Sequence, residues 1–184
     1  MAGGFLPLKK NDFMKPSEIT SVEYSPYFKS YIDKVEDITL IEALTKGAIE
    51  SNHFFSSLSE DILVYRYAEN KWTPKEILLH LIDSERTFSY RALHFARTDN
   101  ASLEGFDENV FAKNSNANSR TIESLLKEYN TVREASILLF ESFSKETLLR
   151  SGMANNNLLS VRAAGFLICG HEIHHRKIIK ERYL

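Results

Sequence analysis

Six histidines occur in this 184-residue sequence: His53, His80, His94, His171, His174 and His175. Three of them fall within Gly170-His171-Glu172-Ile173-His174-His175. On a helix, side chains four residues apart lie one above the other, so His171 and His175 can reach a single metal ion. Ile168, Ile178 and Ile179 place that face against a core. Imidazoles on an apolar stripe lose hydration unless something takes their lone pairs, and a metal ion does so. His80 is the natural third ligand, because it lies on a second apolar stripe with Ile77, Leu81, Ser84 and Phe88. Three neutral imidazoles leave a divalent ion its full charge and an open position, which is the donor set of catalytic rather than structural zinc. Such an ion activates water or takes a thiol as its thiolate. Zinc is the favoured divalent transition metal, and nickel, iron and manganese also accept imidazole nitrogen.

Any one of these histidines alone would read as a structural imidazole bonded to a backbone carbonyl. The metal reading comes from the i, i+4 spacing combined with a second inward histidine. His53 and His94 read as structural or surface residues. His174 lies about 100° around the helix from His175, which makes it a supporting or interface residue rather than a ligand. Asp83, one turn after His80, is the candidate catalytic residue: it could orient a ligand or accept a proton, or simply pair with Arg86. Glu85 is a weaker candidate for a supporting role, and so is Arg91, since long polar side chains on bundle helices are usually solvated. Glu172 points away from the direction shared by His171 and His175 and receives no catalytic role. Asp107 and Glu108 could line the mouth of a site.

Two motifs compete with this reading. His171-Glu172-x-x-His175 matches the zinc-peptidase pattern H-E-x-x-H, but no histidine lies between His175 and Leu184 to serve as the usual downstream ligand. Glu50-x-x-His53 and Glu172-x-x-His175 form two E-x-x-H pairs, as in di-iron bundles. There, however, the pairs sit on the second and fourth helices, and an inward Glu172 would waste His171.

Four elements must position these residues. Periodicity predicts helices over 39–55, 74–97, 121–143 and 160–183. Thr39 with Glu42, and Thr73 with Pro74 and Glu76, are N-terminal capping boxes. Leu40, Ala43, Leu44, Ala48 and Ile49 mark the inward face of the first helix. Ile122, Leu125, Leu126, Tyr129, Val132 and Leu139 mark that of the third. The connections 99–120 and 144–159 are long for a bundle and read as loops able to shape a site mouth. The expected fold is all-α, a four-helix bundle over 38–184, with the aromatic-rich stretch 1–37 packed across it as an extension of one domain.

Composition narrows the function. With 23 basic and 25 acidic side chains the net charge is −2, which argues against a nucleic-acid partner or a polybasic membrane patch. The single cysteine, Cys169, excludes an intrachain disulfide and fits a reducing compartment. Residues 1–10 lack the apolar stretch of a secretory signal, and no apolar run approaches the ~20 residues of a membrane span. A cytoplasmic protein is the expectation.

The string Lys71-Trp72-Thr73-Pro74-Lys75-Glu76-Ile77-Leu78-Leu79-His80-Leu81-Ile82-Asp83-Ser84-Glu85-Arg86 resembles the second-helix motif of the DinB/YfiT-like superfamily. Tyr90-Arg91-Ala92-Leu93, Ala96-Arg97, Leu103-Glu104-Gly105-Phe106-Asp107, Gly170-His171-Glu172-Ile173-His174-His175 and Glu181-Arg182-Tyr183-Leu184 continue the resemblance, which covers roughly residues 24–184. It implies a bundle of up-down-down-up topology whose two long crossovers match the connections above. It also implies a divalent metal on three histidines, which map onto His80, His171 and His175, and a homodimer. The implied activities act on small molecules: metal-dependent hydrolysis, S-transfer from a low-molecular-weight thiol such as bacillithiol, and, in a related branch, thiol-dependent maleylpyruvate isomerisation. The alternative is a stress-response module that binds metal or a small ligand without turnover.

Overall fold

The computed structural model describes residues 14–184. Residues 1–13, which include Phe5 and Phe13 of the aromatic-rich stretch and the 1–10 segment read for a signal, lie outside the described residues. The helices are α1 (Pro26–Ile32), α2 (Leu40–Ser56), α3 (Glu60–Leu63), α4 (Pro74–Arg97), α5 (Glu108–Asn114), α6 (Ile122–Glu141), α7 (Lys145–Leu149) and α8 (Val161–Arg182). The strands are β1 (Ser102–Leu103), β2 (Ser151–Ala154) and β3 (Asn157–Ser160). The four long helices are the four expected from periodicity, with ends displaced by two residues at most. Their starts are set by side-chain caps. Thr39 and Thr73 accept from the amides of Glu42 and Glu76 in reciprocal boxes, while Thr121 and Ser160 accept from Ser124 and Ala163. Each such cap contributes on the order of 1 kcal/mol.

Cross-helix contacts fix the topology. Asn130 of α6 meets Asn52 of α2, while Arg133, further along α6, reaches the carbonyl of Leu44, so α2 and α6 are antiparallel. Arg133 meets Glu85 and Ser136 meets Ser89, so α4 and α6 are parallel. Leu40 packs on Gly165 and Ser51 bonds Glu172, so α2 and α8 are parallel. Arg150, whose carbonyl accepts from Val161 N–H at the start of α8, donates to the Phe95 carbonyl near the end of α4, while His171 further along α8 meets His80 early in α4, so α4 and α8 run oppositely. The order is up-down-down-up, an all-α bundle in which both crossovers are long.

Those crossovers are more ordered than loops. β1 pairs in parallel with β2 (Ser102 opposite Met153), and β2 pairs antiparallel with β3, giving the sheet order β1-β2-β3. The small sheet ties the two crossovers together beside the end of α4. Asn155 and Asn156, at φ 49° and 58°, make the β2–β3 turn. Two consecutive positive φ values are what a tight right-twisted hairpin requires, and asparagine tolerates them. Strands of two to four residues carry too few alternations to be read from sequence.

Two apolar clusters fill the bundle, one around Leu40, Phe95, Phe140 and Phe166, the other around Phe55, Leu78, Leu125 and Ile179. Ile49, expected to face inward, is 67% exposed. The buried face of α2 runs instead through Leu44, Gly47, Ser51 and Phe55, because polar groups of α6 and α8 occupy the bundle opposite Gly47 and Ser51. No helix among the described residues is long and apolar enough to cross a membrane.

α1 lies against α8 through Phe28 and Ile32. The closest approach is at Gly170, where a Cβ would lie 2.0 Å from the Tyr31 carbonyl oxygen. Backbone cannot give way as a side-chain tip can. Gly170→Ala is therefore expected to cost ~1–3 kcal/mol or more, read as a lower urea midpoint.

Candidate metal centre

His80 is held by the start of α4, which is anchored beyond its own cap. The Glu76 carboxylate accepts from Thr73 N–H, from Arg66 and from Asn118. His171 and His175 lie one turn apart on α8, between Ile168 of one apolar cluster and Ile179 of the other. Antiparallel packing of α4 on α8 brings the three rings to one point. His171 Nε2 lies 3.2 Å from His80 Nε2 and 3.0 Å from His175 Nε2. The candidate ligand atoms all fall within 4.8 Å of one another. Neutral imidazoles can share protons pairwise, but three Nε2 atoms turned toward one another cannot all be satisfied that way. One cation satisfies all three, so the donor set fits a divalent transition metal.

Aromatic neighbours orient the rings. Trp72 lies against His80 at 4.7 Å between centroids, Phe88 meets the edge of His171 at 5.9 Å, and Tyr31 meets His171 at 5.6 Å. His175 Nδ1 is buried with no hydrogen-bond partner among the described residues, so packing rather than a carboxylate fixes that ring.

Burial keeps the cluster unprotonated. It holds His80 down to about 4. It also lowers His175, to about 3, with His80 and His174 adding to the effect. His171 is pushed well below the ordinary range, first by burial and then by the other three histidines. An unfolded histidine titrates near ~6.5, so between that pH and about 4 the unfolded chain binds more protons than the folded one. Stability of the metal-free protein is thus fully present above ~6.5 and falls as pH drops toward about 4. Urea titrations across that range are expected to show this decline, and His80→Leu is expected to flatten it. Equal curves for the two proteins would contradict the burial argument.

The cluster forms one wall of a cavity of about 270 Å³, whose lining includes Tyr27, Phe28, Tyr31, Trp72, Ser84, Phe88, Arg91, Phe106, Glu108 and His174. Glu108, an acid read as possible lining, is among them, whereas Asp107 caps α5. His174 contacts Tyr31 at 5.3 Å and His175 at 5.2 Å. Asp83 is not among the lining residues; it turns to Arg86 at 3.3 Å. Glu85 lines a small cavity beside His171 but makes no hydrogen bond to the three histidines among the described residues; it is paired, buried, with Arg133. Its expected solvated position was wrong, because Arg133 lies on the inward face of α6 between Tyr129 and Phe140.

Glu172 does point away from His171 and His175, but the expectation that its burial would waste His171 is corrected. It and His171 are both buried, because α8 is enclosed on two sides there. His171 faces α4, whereas Glu172 accepts from Tyr129 (2.7 Å), Ser51 (2.7 Å) and Arg133. Burial alone would raise its pKa, but Arg133 and Arg176 offset this and hold it below the usual value. Arg91, read as solvated, is buried and lines the cavity. Its position eleven residues after His80, three helical turns along the same face, was the available signal.

A model of the DinB superfamily matches residues 43–179. None of the curated proteins matches the chain. Among solved structures that match is YfiT from Bacillus subtilis, described as a probable metal-dependent hydrolase with an unusual four-helix bundle topology. It aligns with a TM-score of 0.71 at 16% identity, covering 77% of this chain and 82% of its own. At that identity the likeness is one of fold.

Proposed function

The chain belongs to the DinB superfamily, and from that premise we propose that it is an enzyme holding one divalent transition metal, preferably zinc, on His80, His171 and His175. Its substrate is a small molecule bound in the adjoining cavity, and its chemistry is hydrolysis or S-transfer from a low-molecular-weight thiol. The observation that carries this reading is the convergence of three Nε2 atoms on the wall of a cavity. A divalent metal bound by these three neutral imidazoles would supply Lewis acidity. The protein's residues do the rest. The three rings stay unprotonated near neutral pH, and Trp72, Phe88 and Tyr31 pack against them on the cavity side. The description of YfiT as a probable metal-dependent hydrolase supports the hydrolytic branch. A homodimer is part of the same proposal and is checked by light scattering.

Elemental analysis of tag-free protein tests the metal. Close to one equivalent of a transition metal is expected, and less than ~0.1 equivalent after reloading would remove the proposal. Turnover is tested by giving the loaded protein a thiol with a panel of electrophiles, and separately a panel of esters. A second reading, a metal- or ligand-binding module without turnover, is favoured by one feature: among the described residues no carboxylate is hydrogen-bonded to the histidine cluster. Tight metal retention with no turnover on either panel would select it.

A further inference from the structure

We propose that the cavity receives a small monoanion, a carboxylate or related oxyanion on a flat apolar body, whose charged group is bound by the Arg91 guanidinium and the Ser84 hydroxyl. This names the substrate class of the site proposed above and rests on that reading. Arg91 is 6% exposed and Ser84 is 1% exposed, and both line the cavity. The other buried arginines have carboxylate partners: Arg133 pairs with Glu85 and Glu172, and Arg176 with Glu50 and Glu172. Arg91 makes no ion pair among the described residues. It donates to the Glu104 carbonyl at 3.2 Å and lies 5.8 Å from the Phe88 ring centroid. No carboxylate among the described residues balances its charge, the Glu104 carbonyl takes only one of its five donors, and burial lowers its pKa. Ser84 Oγ is buried with no hydrogen-bond partner among the described residues.

Arg91 and Ser84 share one face of α4 with His80. Positions 80, 84 and 91 fall within about 40° of one another around the helix, and His80 and Arg91 are ~16 Å apart along its axis. Helical side chains lean toward the N-terminus, which brings the guanidinium back toward Ser84 and the histidines. A planar guanidinium matches a carboxylate with paired hydrogen bonds, and an oxyanion there would balance the Arg91 charge and give Ser84 Oγ the partner it lacks. Aromatic walls from Tyr31, Trp72 and Phe106 suit a flat apolar body. The carboxylate lining the cavity, exposed Glu108, opposes a second negative charge on the ligand.

The test compares benzoate with its neutral isostere benzamide. Each is titrated calorimetrically into the full chain, zinc-loaded and metal-free, with fluorescence of Trp72, the chain's one tryptophan, as a second readout. Benzoate is expected to bind ~10-fold or more tightly than benzamide in both forms, as charge-assisted hydrogen bonds imply. Arg91→Gln is expected to bring that ratio close to one without changing zinc content, and Arg91→Lys to retain part of it. Equal affinities in the unaltered protein, or no benzoate binding at millimolar concentration, would overturn the proposal without needing a variant. So would a benzoate preference that survives Arg91→Gln, since the metal would then be the anion receptor. If zinc does not bind at all, the metal reading fails by itself, and the metal-free titrations still decide Arg91.

Discussion

Arg133→Ala is expected to destabilise the protein by ~3–5 kcal/mol at neutral pH, the range for removing one partner of a buried ion pair. The residue is among the largest fully buried side chains, and its guanidinium serves three groups at once. It donates to both carboxylate oxygens of Glu85 (2.8 and 2.9 Å), to the carbonyl of Leu44 (2.8 Å) and to Glu172. Removing it strands Glu85, for which the described residues offer no other ion partner, and leaves Glu172 with Arg176 alone as a counter-charge. Against a typical total of ~5–15 kcal/mol, such a loss is a large fraction of stability. The measurement is urea unfolding at pH 7 and again at pH 5. The deficit should shrink at the lower pH, because protonation relieves a stranded carboxylate but does nothing for a missing hydrocarbon contact. A deficit independent of pH would mean that Arg133 acts mainly through packing. Arg133→Met combined with Glu85→Gln and Glu172→Gln should recover much of the loss, since removing these three buried charges together also removes their desolvation penalty, while Arg176 keeps Glu50 as its partner. Gly47 belongs to the same device: a Cβ there would sit 2.9 Å from Glu172 Oε1 and 3.0 Å from Arg133 Nη1.

The bundle was legible in the sequence because its signals are local. Capping boxes at Thr39 and Thr73 and apolar recurrence over about twenty residues mark helix starts and faces without reference to the rest of the chain. The convergence of His80 with His171 and His175 was legible for a related reason: each lies on a recognisable apolar stripe, and antiparallel packing of two long helices brings such stripes together. The buried ionic network was not. Arg133, Glu85 and Glu172 look like solvated residues one helix at a time, and only the three helices together show that each neutralises the others. Arg91 was misread in the same way, since a charged side chain is assumed to face water unless a reason to bury it is visible. The small sheet was missed because Ser102–Leu103 and Ser151–Ala154 are too short to show alternation. What marks the hairpin is its Asn155-Asn156 turn, a weaker cue than Asn-Gly.

Removal of His171 is expected to have the largest effect on metal binding, because its Nε2 lies close to both of the others. Zinc affinity of His171→Ala, measured by competition with a chromophoric chelator, should fall by more than the ~10–100-fold typical of losing an outer supporting contact. His80→Ala and His175→Ala should fall comparably, and His174→Ala, whose ring faces Tyr31, far less. The informative control is His171→Leu without metal. If the cluster exists to hold an ion, its desolvated imidazoles are a burden to the empty protein, and an apolar side chain of similar bulk should leave stability unchanged or raise it, most clearly below pH ~6.5, where the unfolded chain begins to take up protons. In the unaltered protein, by contrast, zinc at a hundred times its dissociation constant should add about 2.7 kcal/mol by mass action, and that increment should vanish in His171→Leu. The two outcomes run in opposite directions, so they separate a functional site from a packing feature. A metal-free His171→Leu protein that is markedly less stable than its parent, together with no stabilisation of the parent by zinc, would make these histidines structural and leave the cavity without its proposed centre.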